Sequence, residues 1–308
     1  MENLRRIAWA LRKVRLPVHS QALVLDVGAG SCPYPRADVL LERYVTSDHR
    51  CGAAMVSDRP TVFADALHMP FHDKAFDFVI ASHILEHISR PEEFIRELMR
   101  VGKAGYIETP NIFLERLSPY PIHVLEVMDS AGKLHIRKKP KEGSDDFLAR
   151  LRLTSQHAAW SKFFYATPQM FHVRYFWRDK IDYQIDNPEE PCTWSHIVDD
   201  NTQSEVLATY SSRGWRGWGL RALRRYYAWR NRRQVDWSSI LACPNCHQTL
   251  HKRSEFYVCK RCKLRYRSDP HPDFLDPIPD VLDGKEQASM LETTLTQGLE
   301  NGHELSRP

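Results

Sequence analysis

Short apolar runs alternate with helical stretches between residues 22 and 110, and this alternation predicts a parallel sheet with helices on both faces. The helix from Arg90 to Val101 is marked by Pro91 in its first turn and by acidic residues at its amino end. The predicted strands are 22–27, 38–42, 61–64, 76–81 and 104–108. The expected fold class is therefore α/β, with a doubly wound, mostly parallel sheet.

Two further pairs of extended segments follow this alternating region. Residues 122–128 and 134–138 are joined by Asp129-Ser-Ala-Gly, a sequence that favours a hairpin turn. Residues 171–177 and 181–185 form the second predicted pair. We expect this second pair to supply an antiparallel edge to the sheet.

A two-glycine turn ends the first predicted strand, in the sequence Leu-Val-Leu-Asp-Val-Gly-Ala-Gly. Gly28 and Gly30 permit a sharp turn and a close approach of the backbone to a ligand. Pro33 stands where a dinucleotide fingerprint needs a third glycine, and the Gly-Lys-Ser/Thr of a phosphate-binding loop is absent. The turn therefore lacks the usual means of binding a pyrophosphate.

Four motifs then stand in the order that is typical of class I S-adenosylmethionine-dependent methyltransferases. The glycine turn is followed by Phe-Ala-Asp-Ala66, by Met-Pro-Phe71 with Ala-Phe-Asp-Phe-Val-Ile80, and by Ile-Leu-Glu-His87. Residues 22–110 resemble this family, in particular the subgroup that includes quinone and other small-molecule methyltransferases. The resemblance implies a Rossmann-like fold and S-adenosylmethionine as the methyl donor.

The resemblance also implies which residues bind the cofactor. Asp26 would order the glycine turn, and Asp65 with the Ala66 backbone would bind the adenine amino group. A carboxylate at the end of the second strand can accept hydrogen bonds from both ribose hydroxyls. Glu42 is the favoured candidate, because the prolines before it leave little room for a full helix, and Asp48 is the alternative. The predicted cofactor-binding residues are Asp26, Gly28, Gly30, Glu42, Asp65, Ala66 and Ser82.

Methyl transfer from a sulfonium is an in-line displacement, so an enzyme aligns donor and acceptor and removes a proton when the acceptor is a hydroxyl. His83, His87 and His123 are the predicted catalytic bases, with Glu108 as a carboxylate alternative. The fourth strand is followed neither by the Asn/Asp-Pro-Pro-aromatic element of some amino methyltransferases nor by a nucleophilic cysteine. These features favour a small-molecule, saccharide or lipid-linked acceptor.

Four cysteines near the carboxyl end are arranged as two CxxC pairs with twelve residues between them. Four thiolates close a tetrahedral zinc site that has no open position, so the predicted zinc is structural. The predicted metal ligands are Cys243, Cys246, Cys259 and Cys262. With so little apolar sequence around it, we expect this segment to fold only when metal is bound.

The sequence around the cysteines resembles the small zinc-ribbon proteins that activate methyltransferases in trans by covering an apolar edge of the enzyme. This resemblance implies an activator-like ribbon fused to the enzyme. The chain departs from that family at 269–275, where the usual Gly-Ile-Pro is not reproduced. Contact of the ribbon with the enzyme in the same chain and contact with another copy are both open at this stage.

Residues 213–233 contain eight arginines interleaved with aromatic residues. Three interpretations are open: a linker helix docked between the two modules, contact with a lipid surface, or contact with RNA. The net charge of +4 is too small to decide between them. Two other functions therefore stand beside the small-molecule enzyme, namely an RNA- or protein-directed methyltransferase and a non-catalytic scaffold.

The hydropathy and charge of the chain also predict its location and its domains. No apolar run approaches the roughly eighteen residues of a membrane span, and arginines interrupt the amino-terminal segment, so a cytoplasmic location without a transmembrane segment is expected. The predicted domains are an amphipathic helix (1–19), a methyltransferase domain (20–200) with a cap insertion at about 139–170, a basic aromatic linker (201–236), a zinc ribbon (237–280) and a flexible tail (281–308).

Overall fold

Five parallel strands form the centre of the sheet in the computed structural model. The structure describes residues 16–46, 53–117, 122–139, 167–192 and 235–280, together with residues 9, 13, 120, 163–164, 219, 222, 225–227 and 229. The parallel strands are β1 (Val24–Val27), β2 (Val39–Glu42), β3 (Thr61–Phe63), β4 (Phe78–Ser82) and β5 (Ala104–Pro110). Each lies within two residues of its predicted bounds, and the predicted α/β fold class is confirmed.

The order of these strands is β3-β2-β1-β4-β5. β1 pairs with β2 through Leu25 and Val39, and on its other side with β4 through Asp26 and Ile80. The strands that follow β1 therefore lie first on one side of it, as β2 and β3, and then on the other side, as β4 and β5. In doubly wound sheets, the carboxyl ends of the strands at such a switch point enclose a ligand crevice.

Helix α1 (Pro91–Val101) packs its apolar side against the sheet. Phe94, Ile95 and Leu98 recur at helical spacing and are fully buried, which accounts for the helix as an amphipathic element. The helix begins one residue after its predicted start, with Arg90 as the N-cap residue. A short helix, α2 (Ile112–Leu117), follows β5.

The predicted pairing of residues 171–177 with 181–185 is wrong. β8 (His172–Arg178) is the expected antiparallel edge strand and pairs with β5 along its whole length. β9 (Tyr183–Ile185) instead pairs in parallel with residues 134–136 in a second, three-stranded sheet. Asp179 takes a positive φ of 61°, and this bend directs the chain away from β8. Alternating burial alone does not specify which strand is the partner.

The predicted hairpin is present as β6 (Leu125–Ser130) and β7 (Lys133–Lys138), which pair antiparallel. The turn is Ala131-Gly132, with φ values of 51° and 80°. Two central residues with positive φ are typical of a type I′ hairpin turn.

The carboxyl-terminal cysteine-rich segment extends the central sheet. Its elements are α3 (Trp237–Ile240), β10 (His251–Arg253), β11 (Phe256–Cys259), β12 (Leu264–Arg267) and β13 (Asp273–Pro279). β10 to β13 pair antiparallel in sequence order, and β13 then pairs in parallel with β3. Within the described residues the sheet is thus ten strands wide, and the segment contacts the methyltransferase-like part of its own chain.

One apolar cluster spans both parts of the molecule. Leu241, Tyr257 and Phe274 from the cysteine-rich segment belong to the same buried cluster as Val62 and Phe71. A second contact accompanies it, since the His72 N–H donates to the carbonyl of Ile240 across 2.9 Å. Burial of apolar surface on this scale makes the two parts one core.

Several predicted domains fall mainly outside the described residues. Most of the amino-terminal helix (1–19), the cap insertion (139–170) and the basic linker (201–236) lie there, as does the whole tail (281–308). These four assignments stay predictions.

Candidate active site and cysteine cluster

Gly28 and Gly30 turn the chain at the carboxyl end of β1. Their φ values are 68° and 56°, a region that residues with a Cβ rarely adopt. The Gly28 N–H donates to the carbonyl of Leu41 across 2.9 Å. A Cβ on Gly28 would lie 2.8 Å from Cδ1 of Ile84, so residue 28 also has no space for a side chain.

Asp26 lies just before this turn and is almost completely buried. Its carboxylate accepts a hydrogen bond from the Tyr34 N–H across 2.7 Å, which ties the segment after the turn back to β1. Burial raises the pKa of Asp26 to about 7, and the hydrogen bond from Tyr34 only partly opposes this shift. The role of Asp26 in cofactor binding stays a prediction.

Glu42, at the end of β2, points its buried carboxylate at the glycine turn. Its Oε1 atom accepts a hydrogen bond from the Gly30 N–H. The structure therefore brings two predicted cofactor residues, Glu42 and Gly30, into direct contact. The alternative ribose ligand, Asp48, lies outside the described residues.

Asp65 follows β3 at the same edge of the sheet. Its Oδ1 accepts a hydrogen bond from the Leu67 N–H (2.9 Å), and its Oδ2 pairs with Arg43 (2.6 Å). Arg43 was not predicted, but it directly follows Glu42 and so must lie at the end of β2. Ala66 is buried beside Asp65, and the ends of β1, β2 and β3 carry these residues at one edge of the sheet.

Ser82 and His83 lie at the carboxyl end of β4, across the switch point from the glycine turn. Ser82 is opposite Glu108 of β5. His83 has a φ of 57°, and its side chain is 42% exposed. Its Nδ1 lies 3.3 Å from Glu86 Oε1 and its Nε2 lies 3.4 Å from Glu108 Oε1.

These two carboxylates set the charge of His83. Burial alone would lower the pKa of His83, but Glu108 and Glu86 outweigh it and raise this pKa to about 9. The imidazole is therefore a cationic hydrogen-bond donor at neutral pH. Glu86 was missed as a site residue, although its spacing of three residues from His83 is a signal for contact within one turn.

A wall of polar and aromatic side chains adjoins His83. The Tyr106 hydroxyl donates to Glu108 across 2.5 Å and accepts from Arg174 Nε across 2.9 Å. The ring of His172 lies 5.5 Å from that of His83 and 4.9 Å from that of Trp9. Burial raises the pKa of Tyr106, and the charge of Glu108 adds to this shift. This wall was not predicted, because it joins residues far apart in the chain.

His87 and His123 pack against each other, with ring centroids 4.6 Å apart. Nδ1 of His87 lies 3.2 Å from the carbonyl oxygen of Ile122, and Nδ1 of His123 lies 2.6 Å from Glu115 Oε2. Burial lowers the pKa of His87 to about 4, against the opposing charge of Glu86. Of the three histidines predicted as bases, His83 is the one whose ring contacts both Glu86 and Glu108.

The four predicted zinc ligands converge at the base of the cysteine-rich segment. Sγ of Cys243 lies 3.9 Å from that of Cys262, and Sγ of Cys246 lies 3.5 Å from that of Cys259. Four sulfurs at the usual Zn–S distance in a tetrahedron are about 3.8 Å apart. The arrangement therefore fits a four-thiolate metal site.

The arginine-aromatic segment at 213–233 lies mostly outside the described residues, so its lipid and RNA interpretations stay predictions. Two of its described aromatic side chains, Tyr226 and Trp229, are exposed. Within the described part of the chain, every helix is too short or too polar to cross a bilayer.

Parts of the chain are similar in sequence to known methyltransferases. Residues 25–107 match the methyltransferase domain family. Ajmaline N-methyltransferase of Rauvolfia serpentina is 51% identical over 41 residues, which are 13% of this chain and 14% of that protein. Demethylmenaquinone methyltransferase of Thermobifida fusca is 31% identical over 112 residues, which are 36% of this chain and 46% of that protein.

The chain thus spans less than half the length of either curated relative. Among solved structures, an S-adenosylmethionine-dependent methyltransferase from Mesorhizobium loti aligns with a TM-score of 0.33 and 12% identity, over 56% of this chain and 97% of that chain. The sequence matches support a class I S-adenosylmethionine-dependent methyltransferase domain in the amino-terminal part of this chain.

Proposed function

We propose that the protein transfers a methyl group from S-adenosylmethionine to a small-molecule, saccharide or lipid-linked acceptor. The observation that carries this proposal is the contact between Gly30 and Glu42 at the switch point, with Asp65 at the next strand end. Ligands of doubly wound sheets bind in this crevice. The matched methyltransferase domain, residues 25–107, covers all three of these residues.

The residues present fit S-adenosylmethionine. Glu42 is a buried carboxylate that can accept hydrogen bonds from ribose hydroxyls, in the place where it now holds the Gly30 N–H. Asp65 would accept from the adenine amino group, with the Ala66 backbone beside it. The turn beside this crevice requires Gly28, because a side chain there would clash with Ile84.

The acceptor would enter on the other side of the switch point, beside His83. S-adenosylmethionine, when bound, supplies an electrophilic methyl group. We assign His83 to binding and orienting the acceptor, because its half-exposed ring is held in place by Glu86 and Glu108. The aromatic rings of His172 and Trp9 beside it would exclude water from a small acceptor.

We further propose that Cys243, Cys246, Cys259 and Cys262 bind a structural zinc ion. The sulfur separations of 3.5 and 3.9 Å support this assignment. The ribbon would then complete the β3 edge of the sheet from within the same chain. A ribbon joined in this way makes a separate activator on that edge unnecessary, because β13 already occupies it.

Calorimetric titration of S-adenosylmethionine into the zinc-loaded protein tests the cofactor assignment, with NAD as the comparison ligand. We expect saturable micromolar binding of S-adenosylmethionine alone. Glu42→Gln and Asp65→Asn each remove one charged acceptor of a hydrogen bond, and each should weaken binding by about tenfold or more.

Asp129→Asn is the matched control, because Asp129 is an exposed carboxylate on the β6–β7 hairpin. Its affinity should equal that of the unmodified protein. Binding of NAD, or no loss of affinity in Glu42→Gln and Asp65→Asn, would contradict the proposal. Absence of binding to either ligand would favour a non-catalytic scaffold.

A further inference from the structure

Three potential metal ligands converge below the acceptor side of the crevice, away from the cysteine cluster. Glu86 and His87 lie in the 3-10 turn Leu85–His87 that follows β4, and His123 lies two residues before β6. One potential ligand atom from each lies within 4.8 Å of the others. Glu86 is 1% exposed and His123 is 9% exposed, so the cluster is enclosed.

The imidazoles are oriented in the manner of metal-binding histidines. A carbonyl oxygen can only accept a hydrogen bond, so Nδ1 of His87 must donate to Ile122, and its Nε2 carries the lone pair when the ring is neutral. The Glu115 carboxylate fixes His123 in the same way. Ligating histidines usually donate their second ring N–H to a carbonyl or a carboxylate.

Neighbouring side chains also fix the orientation of the Glu86 carboxylate. Its Oε2 accepts from the Thr109 hydroxyl across 2.8 Å. Its Oε1 is buried and lies 3.3 Å from Nδ1 of His83. The carboxylate is therefore held from both oxygens, as carboxylates that ligate metals usually are.

The backbone holds the two ligand-bearing segments together. The Val124 N–H donates to the carbonyl of Glu86 across 2.8 Å, so His123 is tied to the turn that carries the other two ligands. Glu115, which orients His123, accepts further hydrogen bonds from Lys139 and from the Tyr120 N–H. The cluster is therefore largely preorganised.

We infer that Glu86, His87 and His123 form a second metal site, for a divalent first-row transition ion of the zinc class. Two imidazoles and one carboxylate are a ligand set that zinc accepts, and three protein ligands leave one position open. Ligand atoms around such an ion are about 3.4 Å apart, and the ligand atoms of this cluster lie within 4.8 Å of one another. This inference assigns His87 and His123 to metal binding and not to proton transfer. It does not depend on the proposed methyl transfer.

The test uses the full-length protein with its cysteine cluster already loaded with zinc. Co²⁺ is titrated in, and binding is followed by calorimetry and by visible absorption. One Co²⁺ should bind per chain beyond the zinc, without the intense thiolate-to-cobalt charge-transfer band that binding to cysteines would give. His87→Ala and His123→Ala should each weaken this binding by about 100-fold, since each removes one of three ligands.

Two further variants keep the test decisive if the alanine variants fold poorly. Glu86→Gln preserves the shape of the Glu86 side chain, and Thr109→Val removes only the hydroxyl that orients Glu86. Each should weaken Co²⁺ binding by about tenfold. His68→Asn is the control, because His68 is exposed and outside the cluster. Failure to bind a second ion at millimolar Co²⁺ would overturn the inference. Equal binding by the cluster variants and His68→Asn would reveal adventitious binding only and would overturn it as well.

Discussion

The backbone N–H of Phe63, the last residue of β3, donates to the carbonyl of Pro272 across 2.8 Å. This bond lies where β13 of the cysteine-rich segment joins the central sheet. The ring of Phe63 also meets that of His271, with centroids 5.7 Å apart. A distant segment of the same chain thus pairs with β3, so β3 is not an open edge of the Rossmann-like sheet.

Loss of the cysteine cluster should destabilise the entire folded unit. Cys259→Ser removes one proposed zinc ligand, and the ribbon shares a buried apolar cluster with the central sheet. If metal loss lowers the free energy of unfolding by about 3 kcal/mol, Tm should fall by about 6–12 °C in one cooperative transition. Differential scanning calorimetry measures this shift.

Cys32→Ser, at an exposed cysteine outside the cluster, should leave Tm unchanged. A separate low-temperature transition with an unaltered main peak would show that the two parts unfold independently.

Gly28→Ala should reduce both stability and cofactor affinity. The substitution places a Cβ at a φ of 68° and 2.8 Å from Ile84, and the expected loss in free energy of unfolding is about 1–3 kcal/mol. Gly132→Ala is a matched control, because Gly132 also has a positive φ but no atom within 4 Å of the added Cβ. Urea denaturation and titration of S-adenosylmethionine measure the two effects. Equal losses in both variants would mean that the contact with Ile84 is unimportant.

Asp26 should make stability depend on pH. Its pKa is raised by burial to about 7 in the folded protein from 3.8, so folding favours the protonated form. The associated stability is fully present below pH 3.8 and is lost as pH rises through about 7, at up to about 1.4 kcal/mol per pH unit between these values. Asp26→Asn removes this dependence and can still accept the Tyr34 N–H. Its stability relative to the unmodified protein should therefore increase from pH 5 to pH 8 in urea denaturation. Parallel pH curves for the two proteins would rule out the raised pKa.

His83→Asn should impair catalysis without affecting the cofactor. If His83 orients the acceptor, its loss should lower kcat/KM by about 100-fold for any acceptor that supports turnover, because misplacement of a reacting group costs about that factor. The Kd of S-adenosylmethionine should stay within about twofold, since His83 lies across the switch point from Glu42 and Asp65. His135→Asn, on the β6–β7 hairpin, is the control. A large change in the Kd of His83→Asn would place His83 in the cofactor site.

The sequence was sufficient to predict a strand or turn wherever a single segment carries the residue pattern for it. The five parallel strands could be predicted because each is a short, mostly apolar run, as expected for strands buried on both faces. The β6–β7 hairpin could be predicted because Gly132 allows the backbone conformation that its turn requires. The partner of β9 could not be predicted, because a short alternating strand is compatible with any open strand edge.

The contacts in the candidate site also include some that could be predicted from the sequence and some that could not. Glu42 and Asp65 follow apolar strands, and the carboxyl ends of parallel strands meet at one edge, so their proximity was predictable. The contact of Glu86 and His87 with His123 was not, because it joins positions 36 residues apart in the chain. Neither was the pairing of Arg43 with Asp65, which depends on side-chain direction and not on strand position.

The sequence by itself determined the α/β class, the glycine turn with its flanking acids, and the spacing of four cysteines, because each depends on neighbouring residues and local backbone preferences. The tertiary structure alone decided that β13 closes the β3 edge within the same chain. It also decided that Glu86 and Glu108 enclose His83, and that two histidines and a carboxylate meet below the crevice. These contacts depend on how distant segments pack to bury apolar surface and to satisfy buried polar groups, and no local pattern encodes that choice.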